Sequence, residues 1–400
     1  MSRHNASYIG RHAISQSLED LDSSSYFDDN SSEAEDAQEP MPRRPRHALL
    51  VAMGLVGEIL VTLAVVCALY IAWQLWWTGV ESEHTQLATR QSSSWTDPGN
   101  ANGRISIAQA QKGNPPEEPA SAQVGDLIAQ LYIPRFGSAW SRNVVQGTTN
   151  EQLARHGVGH YTNTQMPGQV GNFAVAGHRA GYGEPLAHVD TLTEGDAIIV
   201  RTKDYWYVYH YTTKKIVLPT DIGVIAPNPV DPSAAAVKRM ITLTTCEPRY
   251  TEATHRWISW GELDYWAKVS DGIPKELANS SGTSAVTFKE QNQGSVLARL
   301  NSLRPVVIVL LLAYAVIYCA ALAVWRYPAL RAIHHGSRPR PDFSFYGSLY
   351  RHQSGIAPIR WLLLLILAVA AATAMFEWLF PWMASNVPYL QLMSNYVSVQ

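Results

Sequence analysis

A cysteine at the end of a strand-like run has the clearest potential for covalent chemistry in this sequence. The run Ile241-Thr242-Leu243-Thr244-Thr245-Cys246 alternates apolar and β-branched residues, which predicts a half-buried strand. Pro248 has no backbone N–H to give to a central strand, so we expect pairing to stop there and Cys246 to lie at a rim. Arg256 begins the next strand-like run, Arg256-Trp257-Ile258. A thiol at a strand end, with an arginine on the next strand and a histidine upstream, suits acyl transfer through a thioester.

The histidine partner is less certain from position alone. The region around Cys246 holds six histidines: His156, His160, His178, His188, His210 and His255. Only His178 follows a strand-like run directly and precedes a glycine-rich loop, Ala180-Gly181-Tyr182-Gly183. Such a position lets a side chain approach a rim thiol without crowding. Position alone leaves His178 and the other five together equally open.

Cys246 is also the one cysteine outside the long apolar runs. The sequence has three cysteines, and Cys67 and Cys319 lie within apolar runs, where cysteine behaves as a small hydrophobic residue. An unpaired thiol outside the cell is a liability, so its presence favours a chemical use. The competing interpretation is a non-enzymatic membrane-anchored β-barrel scaffold in which Cys246 is buried and inert.

Three apolar runs are long enough to cross a bilayer, which takes ~20 residues per helix. They span residues 48–77, 303–325 and 361–382, in a chain that is 46% apolar and 16% charged. Basic residues precede the first run, and the segment 326–360 holds six arginines and one acid, Asp342. The positive-inside bias therefore predicts a cytoplasmic N-terminus, a cytoplasmic 326–360 loop and an extracellular middle region in a multi-pass membrane protein.

The remaining segments complete the predicted organisation. Residues 1–47 form an acidic, serine-rich tail with a basic juxtamembrane end, which we expect to be disordered and cytoplasmic. We expect an extracellular linker at 78–126, a second linker at 269–302 and an extracellular tail at 383–400. Residues 127–268 contain about eight short alternating runs separated by Gly, Pro and Asp, typical of an antiparallel barrel or sandwich. The net charge of −2 is uninformative, but neither the acidic tail nor the basic 326–360 segment has the pattern of Lys or Arg with aromatic residues that is typical of nucleic-acid binding.

The motifs in this middle region resemble those of the sortases, the membrane-anchored cysteine transpeptidases of Gram-positive bacteria. The resemblance rests on Gly177-His178-Arg179, on Thr242 to Cys246 and on a following arginine, in that order. Three longer stretches are most similar to the class E branch of actinobacteria: Gly177 to Pro185, Leu192 to Asp196 and Thr242 to Tyr250. The resemblance implies an eight-stranded β-barrel of the sortase type, followed here by two membrane helices that most of the family lacks.

The resemblance also implies roles for individual residues. Cys246 would be the nucleophile, His178 the general acid that protonates the leaving amine, and Arg256 the donor to the substrate carbonyl or its oxyanion. Arg249 is a competitor for the last role, but it lies three residues after Cys246, in the expected loop. Thr245 and Tyr182 are predicted to border the substrate groove, although both are equally compatible with ordinary strand and turn roles.

The implied reaction needs no metal and no cofactor. Partners would be proteins with a C-terminal Leu-Ala-x-Thr-Gly or Leu-Pro-x-Thr-Gly sorting signal, cleaved between Thr and Gly. The acceptor would be an amine of a lipid-linked cell-wall precursor. The alternative within the family is a pilin-polymerising enzyme that uses a pilin lysine. That branch often carries an inhibitory lid with an Asp-Pro-aromatic motif, which Trp95-Thr96-Asp97-Pro98 matches weakly because its aromatic residue precedes the aspartate.

Overall fold

The computed structural model describes residues 45–95, 98, 105–278, 288, 302–336 and 341–390. Residues 1–44 of the predicted disordered tail, most of the 269–302 linker and the end of the C-terminal tail lie outside these residues, as does much of the weak lid motif, while residues 45–47 belong to a helix. The chain divides into two units at Leu49, and the fold below belongs to the second, Leu50–Gln400.

Eight strands close into a barrel in the order β1-β2-β3-β4-β7-β8-β6-β5, which confirms the predicted fold class. The strands are β1 (Leu127–Tyr132), β2 (Ser141–Gln146), β3 (Val158–His160), β4 (Gly171–Gly177), β5 (Ala197–Arg201), β6 (Tyr205–Val217), β7 (Arg239–Glu247) and β8 (His255–Lys268). Most pairs are antiparallel, but β4 runs parallel to β7 and β2 parallel to β3.

The strand alternation sorts side chains between the two faces of the barrel wall. Phe173, Val175, Ile241 and Leu243 belong to the main hydrophobic core and are essentially inaccessible to solvent. Because successive side chains on a strand point to opposite faces, the residues between them face outward. Met240, Ile258 and Trp260 of that outer face form a smaller cluster with Val224 of the β6–β7 loop.

A long, almost continuous helix precedes the barrel. It consists of α1 (Pro45–Ala72), a π-helical turn (Trp73–Trp77) and α2 (Thr78–Ser92), and a short helix α3 (Asn150–His156) lies between β2 and β3. The structure thus differs from the linker predicted at 78–126, because its first fifteen residues continue the helix. Their polar composition offers no apolar stripe, and the helix is held instead by polar contacts with the barrel: Ser82 donates to the Arg155 carbonyl, and Gln86 Oε1 accepts the Asn143 N–H.

The chain after the barrel forms a second set of helices. They are α4 (Arg304–Trp325), α5 (Pro328–His334), α6 (Phe345–Arg351), α7 (Ala357–Ala374), a π-helical turn (Met375–Leu379) and α8 (Phe380–Asn386). Three helical segments within the described residues are long and apolar enough to cross a membrane: Ala48–Ser92, Arg304–Trp325 and Ala357–Asn386.

Two glutamates connect apolar helices by accepting hydrogen bonds from groups at the beginning of another helix. Glu377 accepts the Leu303 N–H at 2.9 Å, next to the beginning of α4, and also accepts from Arg304 Nε. Glu58 of α1 accepts the Phe345 N–H at 2.7 Å, at the beginning of α6. Carboxylates at helix N-termini satisfy donors that have no partner within the helix. The apolar helices are therefore joined by specific polar contacts as well as by packing.

Candidate active site

Cys246 and Arg256 lie directly opposite each other on neighbouring strands. The antiparallel register of β7 and β8 pairs Cys246 with Arg256, after Thr242 with Trp260 and Thr244 with Ile258. Side chains directly opposite in such a pair have Cβ atoms ~5 Å apart. Both belong to the outer face of the barrel wall and both are partly exposed. The thiol and the guanidinium therefore lie on the same face of the sheet, at the end of β7.

His178 lies on the other side of β7 from Arg256, just beyond the end of β4. The parallel register of β4 and β7 places Ala176 opposite Thr244, and His178 and Cys246 each lie two residues further along. Adjacent strands are ~4.8 Å apart, so the imidazole and the thiol are at the same level on neighbouring segments. The registers thus place Cys246, His178 and Arg256 at the same end of three neighbouring segments of the sheet.

The imidazole of His178 is buried and has one nitrogen available. Its side chain is 7% exposed, and its Nε2 has no hydrogen-bond partner among the residues that the structure describes. Burial lowers the pKa of His178 to about 4, since the charged form loses hydration. At neutral pH the imidazole is therefore neutral and able to take up a proton.

Thr245 and Tyr182, which the sequence predicted to border the groove, are both buried. Thr245 is 3% exposed and its hydroxyl donates to the Gly177 carbonyl at 2.7 Å, which joins the ends of β7 and β4. Tyr182 is 2% exposed, and its ring centroid lies 4.6 Å from that of His178. Both side chains therefore contact residues of the protein itself: Thr245 contacts Gly177, and Tyr182 contacts His178. This differs from the prediction that they border the substrate groove.

Tyr161 is a neighbour of the site that sequence reasoning missed. It follows β3 directly, and burial raises the pKa of its phenol. The Thr244 hydroxyl and the Arg256 guanidinium act in the opposite direction, while Cys246 adds to the upward shift. The phenol therefore lies near Thr244, Cys246 and Arg256. No local motif marks Tyr161, because β3 comes near β7 only when both pair with β4.

Two other arginines near the site are engaged by acidic partners. Arg179 forms an ion pair with Glu247, stacks 4.9 Å over the Trp257 ring and donates to the Cys246 carbonyl at 3.5 Å. Arg249 forms an ion pair with Glu184, which connects the β7–β8 loop to the loop after β4.

Arg256, in contrast, makes no ion pair among the described residues. Its Nη1 donates to the adjacent His255 carbonyl at 3.1 Å. Of the three cations, Arg256 is thus the one with donors available to a substrate oxygen. Within the same described residues, no group of three or more His, Cys, Asp and Glu side chains is placed to hold a metal ion.

A thiol, a buried neutral imidazole and an uncommitted guanidinium on adjacent segments of a closed barrel define a cysteine-dependent acyl-transfer site. A sequence model of the sortase domain matches residues 131–264. Sortase SrtE1 of Streptomyces coelicolor is 32% identical over 257 residues, 62% of this chain and 67% of that protein. Sortase SrtE2 of the same organism is 32% identical over 245 residues, 59% of this chain and 92% of that protein.

Among solved structures, the SrtA sortase from Actinomyces oris is 38% identical and covers 44% of this chain and 99% of its own, with a TM-score of 0.41. The chain belongs to the sortase family. It is therefore a cysteine transpeptidase anchored to a membrane, and the class E resemblance predicted from its motifs is confirmed.

Proposed function

We propose that this sortase cleaves a Leu-Ala-x-Thr-Gly or Leu-Pro-x-Thr-Gly sorting signal between Thr and Gly and transfers the protein to an amine of a lipid-linked cell-wall precursor. The observation that carries the assignment of roles is the register of three segments. It places Cys246 opposite Arg256 and at the level of His178, whose Nε2 is unpartnered. Cys246 is the nucleophile, His178 the proton carrier and Arg256 the oxyanion donor.

The first half-reaction forms a thioester. Cys246 Sγ attacks the threonine carbonyl carbon while its proton passes to the neutral imidazole of His178. The carbonyl oxygen becomes an oxyanion that accepts hydrogen bonds from Arg256. When the tetrahedral intermediate collapses, the Thr–Gly C–N bond breaks, and the imidazolium returns its proton to the departing glycine amine.

The second half-reaction reverses these proton movements. The acceptor amine attacks the thioester carbonyl, and His178 takes a proton from the attacking nitrogen. Arg256 stabilises the second oxyanion. The C–S bond then breaks, and the proton returns to Cys246 Sγ, so that the thiol is regenerated and a new amide joins the cargo to the acceptor.

The thioester intermediate provides the direct test of this function. The detergent-solubilised full-length chain is incubated with peptides that contain Leu-Ala-Glu-Thr-Gly or Leu-Pro-Glu-Thr-Gly, and intact-mass spectrometry follows the enzyme. We expect a mass increase equal to the acyl fragment up to Thr, located on Cys246, and its transfer to an added amine. A peptide with Thr and Gly exchanged is the matched control. No adduct with either sorting peptide would refute the assignment.

The membrane orientation is a second proposal. It is supported by the arginines of the 326–360 segment and the basic residues before α1, which favour the cytoplasmic side. Reporter fusions after Ala285 and after Gly336 separate the two faces. We expect an extracellular reporter to be active at Ala285 and a cytoplasmic one at Gly336. A cytoplasmic signal at Ala285 would reverse the orientation and remove the barrel from the cell-wall side.

A further inference from the structure

The loop that covers His178 rests on the helix that leaves the membrane. This loop, Gly181–Gly183, follows β4, and its middle residue is Tyr182, whose ring lies against the imidazole. Its other side lies against Gln74 of the π-helical turn and against Thr78 and Gly79, the first residues of α2. The same three residues thus connect the candidate general acid with the membrane helix.

Thr78 provides the polar contact between helix and loop. Its Oγ1 accepts the Tyr182 N–H at 2.9 Å while its own hydroxyl proton goes to the Gln74 carbonyl at 2.8 Å. Thr78 is 1% exposed, so water does not reach this contact from outside. A buried backbone N–H needs a partner, and Thr78 supplies the one for Tyr182.

Three glycines allow the helix and the loop to approach closely. A Cβ built on Gly79 would lie 3.0 Å from Gly183 N and 3.1 Å from Gly183 Cα, both backbone atoms. A Cβ on Gly181 would lie 3.2 Å from the Gln74 carbonyl oxygen. The backbones of the helix and the loop are thus in close contact, and we infer that the position of the helix determines the position of the loop.

The backbone of the loop needs such external support. Tyr182 has φ +54°, a left-handed conformation that side chains other than glycine rarely adopt. Glu184, directly after the loop, has φ +46°. Residues in this region persist only where surrounding contacts hold them.

The position of α2 along the barrel is fixed by contacts nearer its C-terminal end. Arg90 Nε donates to Asn143 Oδ1 at 2.6 Å, and Gln86 accepts the Asn143 N–H at 3.0 Å. These contacts lie several turns beyond Thr78. They prevent the helix from sliding along its axis, so Thr78 stays opposite Tyr182.

We propose that the membrane-proximal helix is a working part of the active site, with Thr78 as a positioning residue that holds Tyr182 against His178. This inference rests on the proposed transpeptidase function, because it assigns the helix a role in the proton transfers of that reaction. Thr78 touches no substrate. It acts on the rate of acyl-enzyme formation through the orientation and burial of the imidazole.

Three variants of the full-length enzyme test the proposal. Thr78→Val keeps the shape and removes the acceptor, Thr78→Ser keeps the acceptor, and Thr85→Val is the same substitution on the same helix. The Thr85 hydroxyl bonds only to its own helix, at the Glu81 carbonyl, among the described residues. We expect Thr78→Val to lower kcat for acylation about tenfold, equivalent to ~1.4 kcal/mol, with KM for the sorting peptide within twofold of the wild type.

The expected pattern is specific. Thr78→Ser regains at least half of the wild-type kcat, and Thr85→Val matches the wild type. If Thr78→Val proves unstable in detergent, Gly79→Ala is the second variant. Its added methyl group displaces the loop at Gly183 without removing a hydrogen bond. We expect the same loss of kcat.

The outcomes separate this inference from the proposed function. If the wild type forms no adduct on Cys246, the transpeptidase assignment fails first. If the wild type is active and Thr78→Val acylates at the wild-type rate, the positioning role is refuted. An equal loss in Thr78→Ser, or in Thr85→Val, would also refute it, since that loss would reflect general damage to the helix.

Discussion

We expect the Cys246→Ala variant to form no acyl-enzyme and to lose transfer activity by at least ~10⁴-fold, as is usual when a covalent nucleophile is removed. Cys246 is the thiol of the barrel, lies opposite Arg256 and is partly exposed at the groove. No other side chain at the groove can form the same thioester. The measurement is the rate of peptide-to-amine transfer by the purified full-length chain, with intact mass to show the adduct.

Cys67 and Cys319 provide matched controls for this experiment. Both are free, exposed cysteines on the apolar helices α1 and α4, away from the barrel. Cys67→Ala and Cys319→Ala should therefore retain full activity and the adduct. Transfer that survives in Cys246→Ala, or is lost in either control, would contradict the assignment of the nucleophile.

Replacement of Arg256 should give the second largest effect. We expect Arg256→Ala to lower kcat by ~10²–10³-fold, the usual result of removing one oxyanion donor. KM should change little, because the strongest bond to the oxygen forms only in the transition state. Arg256→Lys should recover part of the loss, since it keeps the charge but not the planar fork of donors.

Arg249→Ala is the decisive comparison for Arg256. Arg249 forms an ion pair with Glu184, and its guanidinium carbon lies 4.8 Å from the centroid of the Tyr250 ring. Its charge is therefore already neutralised by a partner within the protein. We expect a loss of less than about tenfold, which corresponds to ~1.4 kcal/mol and to a loosened loop. A larger loss of kcat in Arg249→Ala than in Arg256→Ala would contradict this assignment and indicate that Arg249 is the oxyanion donor.

Local pattern was sufficient to predict most of the barrel. The alternation in Ile241–Cys246 predicted β7, and Pro248 predicted where it ends, because period-two burial and a missing N–H are local properties. The short β3 was not predicted, since three residues carry no periodic signal. The alternating runs at 206–209 and 215–218 are separated by polar residues, so their pattern predicts two strands, whereas the structure has the single strand β6 with register irregularities between them.

The parts of the site that escaped prediction all depend on tertiary contacts. His178 could be singled out because a strand end and a glycine-rich loop are visible in sequence. Tyr161 could not, because its proximity to Thr244 and Arg256 depends on β4 pairing with both β3 and β7, and on β7 pairing with β8. The helix at 78–92 was missed for a related reason: its polar residues bond to the barrel, and that partner surface is invisible from composition.

The near-continuous helix from α1 to α2 also leaves no loop between the apolar part of the helix and the part that contacts the barrel. Its apolar part, α1, has 28 residues, or ~42 Å at ~1.5 Å per residue, against a hydrocarbon core of ~30 Å. A thinner or thicker bilayer changes the tilt of a helix that is longer than this core. Since the Asn143 contacts hold α2 on the barrel, we expect the barrel to change its angle to the bilayer together with the helix, while Thr78 keeps its hydrogen bond to Tyr182.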